Sequence, residues 1–161
     1  MEFDNTSVIL PLPTDELINE NEAFLRVTFP EKYRELIKEY NGCSPKDYRG
    51  VFLAENNHEY VIDRLLCQVP NPKEIELGVY DINVVLAQIE ERLTDEEHAD
   101  ELGNAVVPIA VLFAGNFLCL DFRKGGDNPT VVVWDHERSD DWKPVFYHVA
   151  NSFDEFMKIV K

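Results

Sequence analysis

Basic residues are scarce in this 161-residue sequence: 15 Lys and Arg face 31 Asp and Glu, a formal net charge of −16. That shortage excludes a large class of function, because a chain so acidic repels the phosphate backbones of DNA and RNA. An anionic membrane surface is disfavoured for the same reason. Cysteine is scarce as well. Cys43, Cys67 and Cys119 are odd in number and widely spaced, with no Cys-x-x-Cys pair, so neither a zinc site nor a thioredoxin-type motif has support. A reducing cytoplasm is the simplest setting for such thiols. No run approaches the ~18 apolar residues that a membrane helix requires, and Met1–Thr14 lacks the basic start of a secretory signal. The phosphate-binding patterns Gly-x-x-x-x-Gly-Lys-Ser/Thr and Gly-x-Gly-x-x-Gly are missing, as is the nucleophile pattern Gly-x-Ser-x-Gly. No cofactor and no metal is expected.

Hydrophobic residues are plentiful, at 45%, and aromatics reach 11%. A disordered acidic tail lacks such aromatics, so the chain is expected to fold, and its length suits one domain. The charge is concentrated. Residues 1–22 carry six carboxylates and no base; residues 87–104 carry seven against Arg92; residues 135–142 carry four against Arg138. Acidic runs commonly serve solubility, but a net charge of roughly 2–8 suffices for that in a small domain. The surplus points to a basic partner.

Periodicity places the elements. Thr14 can cap a short helix over 15–24. Tyr33, Leu36, Ile37 and Tyr40 form an apolar stripe on a helix with Pro30 at its first position and Asn41-Gly42 at its exit. Two strands are expected over 49–54 and 59–68, around the polar turn Glu55-Asn56-Asn57. Prolines at 70 and 72 break the chain. A helix over 81–93 shows Ile82, Val85, Leu86, Ile89 and Leu93 on one face, and Thr94 to Glu97 resembles a capping box. Strand patterns follow at 106–113, 117–122, 130–135 and 145–149, joined by short turns that favour an antiparallel meander. Ser152 and Glu155 form a capping box for a last helix, with Phe153, Phe156, Ile159 and Val160 on one stripe. The class is α+β, one domain over 1–161, with residues 1–13 as an extended N-terminal segment.

Two arrangements could carry chemistry. Asp121 and Asp135 end two neighbouring strand patterns, and a close hairpin register would bring them together for acid–base work. No nucleophile or donor set accompanies them, so a carboxylate bonded to turn amides, or a rim charge, is the favoured reading. His136 sits between Asp135 and Glu137, but successive strand side chains point to opposite faces and cannot converge on one ion.

The order of several short segments is similar to the SUKH superfamily, which includes yeast cell-wall synthesis regulators and bacterial immunity proteins. The segments are the helix over 30–40 with Asn41-Gly42, Val107-Pro-Ile-Ala110, Gly115-Asn116 through Asp121, Val133-Trp-Asp-His-Glu137, and Ala150-Asn-Ser-Phe-Asp-Glu-Phe156. The resemblance spans roughly 15–160 and departs where the family often has Asn-Gly-Gly and this chain has Asn41-Gly42-Cys43. It implies an α+β fold with a central, mostly antiparallel sheet backed by helices, and binding without a catalytic set. In bacteria it implies neutralisation of a polymorphic toxin, commonly a nuclease.

Three functions follow for test. The first is an immunity protein that occupies the basic face of a cognate toxin, probed most directly at Asp135–Trp142. The candidate contact residues are Asp121, Asp135, Glu137, Asp140, Asp141 and Trp142, because acidic side chains joined to an aromatic make effective hot spots. The second is a non-catalytic regulatory or scaffold domain. The third is a small enzyme on the Asp121–Asp135 pair. An exposed strand edge would also permit a homodimer.

Overall fold

A computed structural model describes residues 1–98 and 105–161. Among these residues, four α-helices and six strands are arranged as one α+β domain. The helices are α1 (Asp15–Leu25), α2 (Glu31–Tyr40), α3 (Ile82–Leu93) and α4 (Phe153–Ile159). The strands are β1 (Val51–Leu53), β2 (Glu59–Leu65), β3 (Val106–Leu112), β4 (Phe117–Asp121), β5 (Thr130–Trp134) and β6 (Phe146–Ala150). Each strand pairs antiparallel with the next, so the sheet order is β1-β2-β3-β4-β5-β6. The two hairpin strands and the later meander, separated in sequence by α3, thus form a single sheet.

The sheet curls until its ends meet. Just past β1, the amide of Glu55 donates to the carbonyl of His148 on β6 at 2.9 Å, and the amide of His148 donates to the Glu55 carboxylate at 2.7 Å. Val51 exchanges two backbone hydrogen bonds with the C-terminal Lys161. These contacts occupy edge groups that would otherwise template pairing with another chain. Val106–Leu112 is buried along almost its whole length, which explains why β3 reads as a continuous apolar run instead of an alternating one.

The helices cover this sheet with the stripes their sequences show. Tyr33 and Ile37 of α2 are buried, as are Ile82, Val85, Leu86 and Leu93 of α3. A column of aromatic contacts runs Phe29–Tyr33–Phe153–Phe156–Phe52–Tyr60, with ring centroids 5.1 to 6.1 Å apart. It links α2, α4, β1 and β2. Such edge-to-face, tilted and offset-stacked pairs add about 0.5–1.5 kcal/mol each beyond area burial.

Several local expectations need correction. Pro30 is the residue before the first helical position of α2, with extended backbone. Ile159 lies off the buried stripe of α4, 43% exposed, while Val160 beyond the helix end is buried. The turn after α3 is capped by Asp95, whose carboxylate accepts from the amide of His98 at 3.0 Å, instead of by Thr94. Ser152 caps α4 by accepting from Glu155, whose carboxylate in turn accepts from the amide of Asn151 at 2.8 Å. The reciprocal bond therefore reaches one residue further back than in the usual box.

Residues 1–13 are tied to the core. Phe3 is buried and stacks on Tyr40 at 4.9 Å. The tie is Asn41, fully buried. Its Nδ2 donates to the carbonyls of Ile9, Gln68 and Pro11 at 2.9, 3.3 and 3.4 Å, and its Oδ1 accepts from the amide of Gln68 at 2.8 Å. Gly42 follows at φ +68°, and a Cβ there would lie 2.5 Å from Ile9 Cδ1. The dipeptide thus does two jobs: Asn41 clasps three chain segments, and Gly42 makes room for Ile9. Asp81, buried before α3, accepts from the amides of Val69 and Asn83. Burial pushes its carboxyl above the ordinary range, against the pull of those amides.

Candidate partner-binding site

The register separates the two aspartates. Phe117 pairs with Trp134 and Asp121 with Thr130, so Asp121 lies at one end of the β4–β5 hairpin and Asp135 follows the other. Five residues of strand, about 16 Å at the usual rise, lie between them. The proposed acid–base pair does not exist. Asp121 instead holds Arg123: its carboxylate accepts from the Arg123 amide at 3.0 Å, from Nε at 2.9 Å and from an Nη at 2.7 Å. The Arg123 guanidinium also lies 4.5 Å from the Phe146 ring centroid.

Asp135, Glu137, Asp140, Asp141 and Trp142 share the connection between β5 and β6. Asp135 Oδ1 accepts from the amides of Glu137 and Arg138 at 3.1 and 3.2 Å, shaping the first turn. Ser139, buried, accepts from the amide of Val145 at 2.9 Å. Asp140 and Lys143 exchange two backbone bonds, so Asp141 and Trp142 form the tip of a tight turn. Trp142 has φ +62° and is 41% exposed. A non-glycine residue in this region costs on the order of 1 kcal/mol. The strained position is held from outside, because the Trp142 amide donates to the carbonyl of Glu91 at 2.7 Å.

That bond joins two acidic windows. Arg92, the lone base of residues 87–104, sends its guanidinium to the carbonyls of His136 and Ser139. It also lies 5.3 Å from the Trp134 ring centroid. Trp134, buried, returns its indole N–H to the carbonyl of Arg92 at 2.9 Å. The end of α3 and the 135–142 connection are therefore riveted together, and Glu90, Glu91, Glu137, Asp140 and Asp141 are all exposed. Asp100 and Glu101 of the same window lie outside the described residues.

The first window is arranged differently. Lys38 bonds Asp15 at 2.9 Å, and Arg34 bonds Glu22 and, at 3.0 Å, Asn19. Glu22 further accepts from the amide of Phe29 at 2.7 Å. Bases of α2 thus answer the carboxylates of α1, and the Lys38 ammonium holds the Asp15 carboxyl below its usual value. This window clamps two helices together.

A family model, SUKH_6, described as SMI1-KNR4 cell-wall, matches residues 15–157, nearly the whole chain. The chain belongs to the SUKH family. Among curated proteins, the SPbeta prophage-derived uncharacterized protein YokK of Bacillus subtilis (strain 168) is 28% identical over 152 residues, covering 89% of this chain and 72% of that protein. SUKH proteins are generally non-catalytic. No helix among the described residues is long and apolar enough to cross a membrane.

Beside the 135–142 connection of this SUKH protein lies a cleft of about 470 Å³. It opens between the β1–β2 turn, the β3–β4 turn and the end of β5. Asn56, His58 and Tyr60 form one wall, Asn116 and His136 another, and Asp135, Arg138 and Tyr147 a third. Of the residues that line the cleft, only Asp135 and Glu137 are among the six candidate contacts taken from the sequence. The others come from turns and strand ends, Tyr60 from β2 and Tyr147 from β6, that are neighbours only once the sheet has curled. The signal in the sequence was the resemblance itself: Asn116 and His136 both stand in the segments that carry it.

Proposed function

We propose that this SUKH protein is an immunity protein that binds and neutralises a cognate toxin, a nuclease domain with a basic active face. The observation that carries the reading is the joining of two acidic segments, at 87–98 and 135–142, around an exposed tryptophan. A nuclease must hold phosphates and so presents positive charge. Carboxylates on a rigid frame can stand in for those phosphates, with electrostatic steering speeding the encounter. Trp142 supplies the kind of aromatic anchor that dominates protein interfaces. Asp135, Glu137, Asp140, Asp141 and Trp142 make this contact. Asp121 lies at the far end of the hairpin, bound to Arg123, and touches the partner only if the toxin spans the sheet. The protein has no catalytic activity of its own and works in the cytoplasm, where the toxin acts. The prophage origin in the relative's name places that relative on a mobile element, a setting suited to genetic conflict.

The family description, with its reference to the cell wall, favours a second reading as a non-catalytic regulatory domain. Co-expression separates the two. A toxin domain encoded beside this protein arrests growth when expressed alone, and growth is expected to return when this protein is expressed with it. Failure to rescue growth against every such neighbouring domain would move the assignment to the regulatory reading.

A further inference from the structure

We propose that the cleft beside Asp135 is a socket for an arginine side chain of the partner. The inference builds on the immunity reading by assigning the chemistry of one contact. Asp135 Oδ1 is used by two turn amides, while Oδ2 has only a long contact of 3.4 Å to the Tyr147 hydroxyl and one of 3.9 Å to Arg138 Nε. The Asp135 side chain is 14% exposed, so Oδ2, held only by these long contacts, is recessed and partly desolvated. Such a carboxylate binds a cation more strongly than one on an open surface.

His136 adds a planar ring held in place. Its backbone amide and its Nδ1 both meet Asn116 Oδ1, at 3.0 and 2.6 Å. A carbonyl oxygen only accepts, so Nδ1 is the donor of this pair, and the two bonds to Asn116 fix the orientation of the ring. The ring packs over Gly115, where a Cβ would lie 3.3 Å from Cε1. Tyr60, buried at the end of the aromatic column, and Tyr147 supply π surface. The Tyr60 hydroxyl accepts from Asn56 at 3.0 Å and is held above its ordinary pKa, chiefly by burial and also by the charge of Asp135. A recessed carboxylate, an oriented planar ring and aromatic walls together suit a planar cation that only donates, which is a guanidinium.

The chain itself shows what such a ligand would meet. Arg138 reaches toward this site, with an Nη 3.3 Å from the Tyr147 hydroxyl and Nε 3.9 Å from Asp135. Yet its side chain is 74% exposed. It touches the rim in the manner of a loosely held stand-in, and an incoming arginine with better reach displaces it.

The test uses N-acetyl-arginine methylamide as probe, followed by amide NMR shifts on the full chain, with the neutral citrulline analogue as control. Saturable shifts confined to residues 56–60, 114–116 and 135–138 are expected for the arginine probe and not for citrulline. Asp135→Asn keeps an oxygen for the turn amides and is expected to weaken the probe by about tenfold, the scale of one charge-assisted pair. Arg138→Gln removes the internal competitor and is expected to tighten it. Shifts spread evenly over the acidic surface, equal binding of citrulline, or an Asp135→Asn variant that binds as wild type would each overturn the socket. Because the probe is a single residue, the result is independent of whether the toxin reading stands: a socket that binds arginine in a protein that rescues no growth overturns only the latter.

Discussion

Replacing Asn41 by alanine is expected to lower the unfolding free energy by about 4 kcal/mol, since at least two buried backbone groups lose their partners at about 1–3 kcal/mol each. Gln68 N–H and Ile9 C=O are the two most exposed to this loss, having bonds of 2.8 and 2.9 Å to the Asn41 amide. For a domain of this size, a shift in Tm on the order of 10 °C follows. Because whole domains are stable by only about 5–15 kcal/mol, the variant is expected near the margin of folding at 37 °C. Asn41→Asp is the sharper control. It preserves shape and the Oδ1 acceptor but sets a carboxylate against three carbonyls, so it is expected to be at least as destabilising as alanine. Urea unfolding measures both. A loss below about 1 kcal/mol for either would show that the N-terminal segment and the chain after β2 are not clasped by this side chain. The Asn41-Gly42 pair that marks the family resemblance thus has a physical reason: one residue ties three strands of chain, and the next admits Ile9.

The second large effect concerns binding. Asp140→Lys combined with Asp141→Lys changes the local charge by four units at the tip of the β5–β6 turn. Both side chains are exposed. The bonds that build the turn come from the backbones of Asp140, Lys143 and Trp142 and from the Ser139 side chain. The fold is therefore expected to survive with its stability changed by less than about 1 kcal/mol. Affinity for the toxin domain is expected to fall by roughly 100-fold, because like charges are placed against a basic face at several kcal/mol. Titration calorimetry together with thermal unfolding of the same sample separates the two effects. Unchanged affinity would remove this turn from the interface and direct attention to the opposite end of the β4–β5 hairpin, where Asp121 is found.

Much of the fold was legible because its signals are local. The stripe Tyr33, Leu36, Ile37, Tyr40 and the apolar runs at 106–113 and 117–122 depend only on spacing, and the elements appear within a residue or two of those ranges. What was not legible depends on register and closure. Both aspartates end apolar strand patterns, and nothing local in 117–135 states that Asp121 faces Thr130. That offset is set by the length of the β4–β5 connection and by which side chains the core accepts. The joining of residues 87–98 to 135–142 was hidden for a similar reason: it runs through backbone carbonyls, which sequence does not display. Arg92 was the one visible clue, a lone base among seven carboxylates. Read as a charge it merely reduces the count; in the fold it carries the bonds that hold the 135–142 connection in place. The cleft was less accessible still, since it needs three turns brought together by the curling of the sheet.

The net charge itself divides into two physical roles. In α1 the carboxylates Asp15 and Glu22 are answered by Lys38 and Arg34, so that charge mainly holds two helices in place. At the end of α3 and along 135–142 the only bases are Arg92 and Arg138, and Arg92 is committed to backbone carbonyls. The excess there is what a basic partner would meet.

The most direct test of the account is the association rate of the purified chain with its cognate toxin domain, measured by stopped flow from 0.05 to about 0.5 M salt. A steered encounter through this face predicts a rate that falls steeply with salt, by about tenfold or more, in the wild type and only weakly in the Asp140→Lys, Asp141→Lys variant. A wild-type rate that is independent of salt, or a variant with the same salt dependence, would contradict the claim that these carboxylates carry the recognition.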